Sequence, residues 1–131
     1  GRLMSSAGPL HWQQLEWLMF QMGSLGPMLG QTHHFVKFNA GKSVYAEDRY
    51  RAENRRLYKV LDARLGGRQF ICGEYSVADI AAWPWISRFE WQEMDLREFP
   101  HLMAWYVRIA ERPAVQRGYA VPQDLPVPMP D

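Results

Sequence analysis

One cysteine, Cys72, stands in a chain of 131 residues, so no internal disulfide can form and a disulfide-stapled fold is excluded. A fold that does without such bridges suits a reducing compartment, and a cytoplasmic location is expected. Net charge is scarce as well. Fifteen Lys and Arg against fourteen Asp and Glu leave +1, too little for the multi-phosphate field of a nucleic-acid binder. No apolar run approaches the roughly 18 to 20 residues of a membrane span, and the N-terminus has no basic-then-apolar secretory pattern. Neither nucleic acid nor membrane is therefore an expected partner. Four histidines and one cysteine give no helix-spaced His pair, and the adjacent His33 and His34 point to different faces, so no metal site is expected. The glycines from Gly23 to Gly30 are followed by no Lys-Ser or Lys-Thr and preceded by no strand, which excludes a phosphate cradle. Internal repeats and alternating strand patterns are missing too. The chain opens Gly1-Arg2-Leu3-Met4, without Met at position 1, which fits residues left by cloning or a piece of a longer protein.

What the chain has in quantity is apolar surface, at 47% of residues, enough for one continuous core at this length. Helical periodicity organises it. Leu15, Leu18, Met19 and Met22 recur at spacings of three and four and predict a first helix over 10–22. Gly23, Gly26 and Pro27 predict a kink or break, because glycine costs a helix about 1 kcal/mol and proline lacks a donor. Residues 28–38 then read as a helical turn followed by a loop. From Ser43, an N-cap, the stripe Ala46, Tyr50, Leu57, Leu61 and Leu65 predicts a helix to Leu65, with charges on its other faces and Gly66-Gly67 as its stop. Ser76 as cap, Asp79 at N3 and Tyr75 as a staple onto Ile80 mark another start. The segment that follows, Ile80 to Ile86, is apolar all round and predicts an interior helix over 76–90, bent at Pro84. Asp95 caps a turn to Glu98. Pro100 opens a helix to about Arg112, Pro113 opens a short one ending near Gly118, and the proline-rich end predicts an extended strap. The predicted fold class is all-α, with five or six helices around the helix at 76–90.

Three residues bear on chemistry. Cys72 sits between Ile71 and Gly73 with no His nearby in sequence, which favours a buried, inert thiol over a nucleophile. Asp79 lies among apolar neighbours that would raise a carboxyl pKa, yet capping accounts for it without catalysis. Arg49 stays open between a solvated partner of Glu53, one turn on, and a guanidinium reaching an anionic ligand.

The capped Ser76-Val77-Ala78-Asp79-Ile80-Ala81 start, together with Phe99-Pro100-His101-Leu102 and Arg112-Pro113-Ala114-Val115, resembles the C-terminal domain of glutathione transferases. Gly26-Pro27-Met28-Leu29-Gly30-Gln31, His33-His34-Phe35, Tyr45 to Tyr58 and Trp83-Pro84-Trp85 resemble more narrowly the bacterial nu class, whose members reduce disulfides with glutathione. The likeness runs over about 8–118. It implies a linker end at 1–8, a helical domain at 9–118, a proline-rich tail at 119–131, and an N-terminal thioredoxin-like domain that this sequence does not contain. That domain carries most of the glutathione site in the family, including the Thr and Asn thought to touch the glutathione sulfur. No catalytic residue is therefore expected in this chain.

The resemblance further implies that a parent protein uses glutathione as cosubstrate to reduce disulfides, or to conjugate electrophiles, and works as a homodimer. Arg49 matches an arginine that crosses the dimer to the carboxylate end of glutathione, with Gln21 assisting. Met28, Gln31, His33, His34 and Phe35 would wall the acceptor pocket, although Met28 and Phe35 also suit plain core. Isolated, the chain is expected to be inactive and to expose an apolar patch where the other domain docks. The alternative is a non-catalytic interaction module, as helical domains of this superfamily also serve in assembly.

Overall fold

The computed structural model describes residues 2–130, so the outer ends of the linker and tail predicted at 1–8 and 119–131, Gly1 and Asp131, lie outside the described residues. The fold is all-helical. Helix α1 (Gly8–Phe20) runs into a π-helical turn at Gln21–Leu25, then α2 (Gly26–Thr32), then a second π-helical stretch at His33–Phe38. After a turn come α3 (Val44–Leu65), α4 (Val77–Ile86), two 3₁₀ turns (Phe89–Gln92 and Leu96–Glu98), α5 (Pro100–Ala110) and α6 (Pro113–Tyr119).

Of the kink or break predicted at 23–27, the break does not occur and the irregularity takes the form of a π-helical turn at Gln21–Leu25; the loop predicted within 28–38 does not occur. The backbone stays helical from Gly8 to Phe38. A regular α-turn would drive the Pro27 ring into the carbonyl one turn back. The π-turn before it, in which the Gly26 N–H reaches the Gln21 carbonyl, adds a residue to that turn and lets the chain continue. Gly26 also has a packing duty. A Cβ there would lie 2.7 Å from the Gln21 amide nitrogen and 3.1 Å from the Trp85 ring, so the small residue lets α2 close onto Trp85.

Helix α3 begins and ends as the sequence indicates: the Ser43 hydroxyl accepts from the Ala46 N–H at 3.4 Å, and Gly66 ends the helix. Its buried face passes through Glu47, Asn54, Leu57, Tyr58, Leu61 and Leu65. Leu57, Tyr58, Leu61 and Leu65 meet Leu25 and Leu29 of the first long helix and Leu102, Trp105, Tyr106 and Ile109 of α5 in one core. α5 opens at Pro100, where the Asp62 carboxylate of α3 accepts from the N–H groups of His101 and Leu102 at 2.8 and 2.9 Å and caps it from a distance.

α4 carries the capping box that its sequence announces. Asp79 is fully buried and anchors more than its own helix. One carboxylate oxygen accepts from the Ser76 N–H and hydroxyl at 2.9 and 3.2 Å. The other accepts from the Ile71 N–H at 2.9 Å and the Trp105 indole N–H at 2.8 Å. The carboxylate thus ties the α3–α4 loop, α4 and α5 together. Two corrections apply to this helix. It ends at Ile86 rather than 90, where a 3₁₀ turn takes over after Ser87 and Arg88. It is also not shielded on all sides: Ile80 is 39% exposed, and Pro84 is exposed on the same flank. That flank borders a groove of about 530 Å³ whose other walls include Tyr75, Tyr119 and Leu125. Among the described residues the tail beyond α6 has no regular structure, and it is held to the body where the Tyr106 hydroxyl donates to the Pro128 carbonyl at 2.6 Å.

Candidate functional site

The exposed side of α3 carries four arginines within eight residues, and pairing separates them. Arg51 meets Glu47, Asp48 and Glu93, Arg55 meets Glu98, and Arg56 forks onto Glu53 at 2.7 and 2.8 Å. Glu53 is the residue expected as the partner of Arg49, and it is turned to Arg56. That hydrogen bond, offset in part by desolvation and aided at longer range by Arg49, holds the Glu53 carboxyl below its ordinary pKa. Among the described residues no carboxylate forms an ion pair with Arg49. Its side chain lines a cavity of about 620 Å³ together with Met28, Tyr45 and Tyr50 and the charged Asp48, Glu53 and Arg56. An unpaired guanidinium beside aromatic and thioether surface can receive a carboxylate whose stem lies along the apolar wall.

The other residues singled out in the sequence do not gather into one wall, because a continuous helix turns them about 100° apart per residue. Met28 and Phe35 face α3: Met28 lines the Arg49 cavity, and the Phe35 ring stacks on Tyr50 at 5.4 Å and 13°. Between them Thr32 is buried and donates to the Asn54 side-chain oxygen at 2.9 Å. Gln31 and His34 are exposed. Gln21 is buried, with its amide against Gly26, and does not line the cavity that holds Arg49.

His33 faces the opposite way, toward α4 and the 3₁₀ turn after it. There it joins a buried relay that the sequence did not reveal. The Tyr58 hydroxyl donates to the Gln92 side-chain oxygen. The Gln92 amide nitrogen reaches the Trp85 carbonyl at 2.8 Å and His33 Nε2 at 2.9 Å. Gln92 is fully buried, and the Trp85 carbonyl requires an N–H there, which fixes the amide orientation. Both amide hydrogens are then committed, so His33 Nε2 must accept and the ring carries its proton on Nδ1. Burial first, and the Arg88 charge second, push the His33 pKa below its ordinary value, and the donor at Nε2 acts in the same sense. Burial likewise pushes the Tyr58 phenol far up and the Cys72 thiol up, which favours the protonated thiol over the thiolate; Cys72 is buried, as its apolar turn suggested.

Residues 25–113 match the family model described as the glutathione S-transferase, C-terminal domain. That span is most of the chain. The chain belongs to the glutathione S-transferase C-terminal domain family. Within reach of this glutathione S-transferase domain is the disulfide-bond oxidoreductase YfcG of Escherichia coli strain K12, 48% identical over 101 residues, a match covering 76% of this chain and 47% of that protein. The disulfide-bond oxidoreductase YghU of the same organism is 33% identical over 117 residues, covering 83% of this chain and 41% of the relative. Among solved structures, a glutathione transferase from Pseudomonas putida with one glutathione disulfide per subunit superposes with a TM-score of 0.83 at 41% identity, covering 92% of this chain and 55% of that one. One from Burkholderia graminis with two glutathione molecules per subunit gives 0.84 at 39%, covering 93% and 54%. The chain spans about half the length of the relatives it matches.

Proposed function

We propose that this domain is the helical half of a glutathione-dependent disulfide oxidoreductase, joined through residues 1–8 to a thioredoxin-like domain and paired as a homodimer. Arg49 carries the reading. It is a cation without an ion pair among the described residues, on a helix whose neighbouring arginines are all paired, and it lines a cavity with Met28, Tyr45 and Tyr50 as well as charged side chains. That arrangement suits the carboxylate end of glutathione presented by a partner subunit, and the two disulfide-bond oxidoreductases among the relatives and the glutathione-bound neighbours support it. The exposed apolar side chains Trp12 and Met19 of α1, Met22 of the π-turn after it and Ile80 of α4 fit surface that a further domain would cover.

In the reaction proposed, a glutathione thiolate attacks one sulfur of a disulfide, the other sulfur leaves as a thiolate that takes up a proton, and a mixed disulfide forms. A second glutathione thiolate attacks the glutathione sulfur of that mixed disulfide, releasing the remaining substrate thiol and oxidised glutathione. The groups that ionise glutathione belong to the thioredoxin-like half. This domain contributes binding surface through Arg49, Met28 and Phe35.

The test is Arg49→Ala in a protein that joins both halves, assayed for glutathione-dependent reduction of a small disulfide. Loss of one exposed charge-assisted contact, worth about 1.5 kcal/mol, is expected to raise KM for glutathione roughly tenfold and to leave kcat nearly unchanged. An unchanged KM with the dimer intact refutes the role given to Arg49. Titrated alone, the chain is expected to show no micromolar affinity for glutathione in a calorimeter.

A further inference from the structure

Side chains three and four residues apart on a helix are neighbours. For Arg49 those neighbours are Tyr45, Ala46, Ala52 and Glu53, and only Glu53 is acidic. Glu53 in turn lies between two arginines, Arg49 one turn before it and Arg56 one turn after, and all three line the same cavity. The carboxylate has therefore two cations within reach on its own helix.

It takes Arg56 with both oxygens. Arg56 Nε donates to one at 2.8 Å and Nη2 to the other at 2.7 Å, a planar fork that a single point charge does not reproduce. Arg49 acts on Glu53 through charge alone, whereas Arg56 acts through both charge and hydrogen bonds. Asp48, the other carboxylate lining the cavity, is next to Arg49 in sequence and so turned about 100° around the helix from it. It pairs with Arg51 at 3.5 Å. A Glu53 released from its fork would turn to Arg49, the remaining cation on its face, and would neutralise from within the charge that the cavity offers to a ligand.

We propose that Arg56 is a positioning residue: by holding both oxygens of Glu53 it keeps the Arg49 guanidinium open to the carboxylate of glutathione, which Arg56 itself does not touch. This rests on the reading of Arg49 given above. The pair Glu53–Arg56 is then part of the affinity of the site, and its loss acts through competition for Arg49.

The first test needs no ligand. The 131-residue chain is labelled with ¹³C at its glutamate carboxyl carbons, the Glu53 signal is assigned through Glu53→Gln, and its titration midpoint is read by NMR. Arg49→Ala is expected to raise that midpoint at least twice as far in an Arg56→Ala background as in the parent chain, because contact with Arg49 has replaced action at longer range. An equal or smaller shift overturns the proposal. The second test uses the protein that joins both halves. Arg56→Ala is expected to raise KM for glutathione about twofold, the scale of a one-turn ion pair, without a change in kcat. Arg56→Lys is expected to recover part of the loss, and Arg56→Ala with Glu53→Gln to return KM to the parent value or below. A double variant that keeps the raised KM means that Arg56 meets the ligand itself, which overturns the proposal. The two failures are distinct: a KM that Arg49→Ala leaves unchanged removes the glutathione reading, whereas equal NMR shifts remove the contest that Arg56 decides.

Discussion

Replacing Asp79 by Asn swaps one carboxylate oxygen for an amide nitrogen at the point where three elements meet, and the surrounding donors determine the cost. The side chain has two orientations. In one, the amide nitrogen faces the Ile71 N–H and the Trp105 indole N–H, neither of which can turn into an acceptor. In the other it faces the Ser76 N–H and hydroxyl, and the hydroxyl can rotate to accept. Asn takes the second orientation and orphans one buried donor, the Ser76 N–H, at about 1–3 kcal/mol. The two bonds kept by its oxygen lose their charge assistance, about 1 kcal/mol each. A neutral amide is cheaper to bury than a carboxylate, which offsets part of this. The net expectation is a loss of about 3 kcal/mol, or roughly 10 °C in Tm for a chain of this size.

Urea unfolding followed by circular dichroism measures it, and the rank order discriminates further. Asp79→Ala leaves the Ile71, Ser76 and Trp105 donors without their acceptor and is expected to cost about 5 kcal/mol or more, within the whole stability of an ordinary domain. Ser76→Ala removes the hydroxyl half of the capping box, together with its long 3.2 Å bond to the same carboxylate oxygen, and is expected to cost about 1 kcal/mol. An Asp79→Asn variant within about 0.5 kcal/mol of the parent chain refutes the argument that this carboxylate holds the loop, α4 and α5 together.

Two glycines four residues apart on one face of α2 are expected to respond with opposite signs. Gly26→Ala places a methyl 3.1 Å from the Trp85 ring and 2.7 Å from a buried amide, so overpacking of about 1–3 kcal/mol exceeds the roughly 1 kcal/mol gain in helix propensity. Gly30→Ala meets Trp85 at an ordinary 3.7 Å, and its unfolding midpoint is expected to rise by the propensity gain. His33 sets a pH dependence. Its folded pKa lies below the unfolded value near 6.5, so the native state binds fewer protons between the two. The stability contributed by neutral His33 is full above about 6.5 and is lost as pH falls toward the folded pKa. Urea midpoints at pH 7.5 and 5.5 are expected to differ more for the parent chain than for His33→Gln, and equal differences in the two chains would refute the lowered His33 pKa.

Those features written locally in the chain were legible, and those assembled across it were not. Ser43, Ser76 with Asp79, Asp95 and Pro100 each act within one turn of themselves, so spacing alone located the starts of α3, α4 and α5. At Gly23 to Pro27 the same local rule located an irregularity but left a break open, because it assigns a cost to glycine and proline and does not register that a π-turn removes the clash, or that Trp85, some sixty residues on, wants a glycine at 26. α4 was misjudged for a related reason: an all-apolar segment reads as interior, yet burial depends on which neighbours are present, and Ile80 and Pro84 have an open groove beside them. At the candidate site, Arg49 stood out by charge, but its lack of a partner depends on Glu53 choosing Arg56, a contest between one-turn neighbours that spacing does not decide. Gln92 carried no signal at all. It lies 34 residues from Tyr58 and 59 from His33, and an isolated glutamine after a tryptophan is unremarkable until the fold sets it between a phenol, a carbonyl and an imidazole. The sequence-derived set of His33, His34 and Phe35 therefore named the right helix but assumed a single face. A helix that continues through residue 38 sends Phe35 toward α3, His34 to solvent and His33 toward α4, so the three never share one wall.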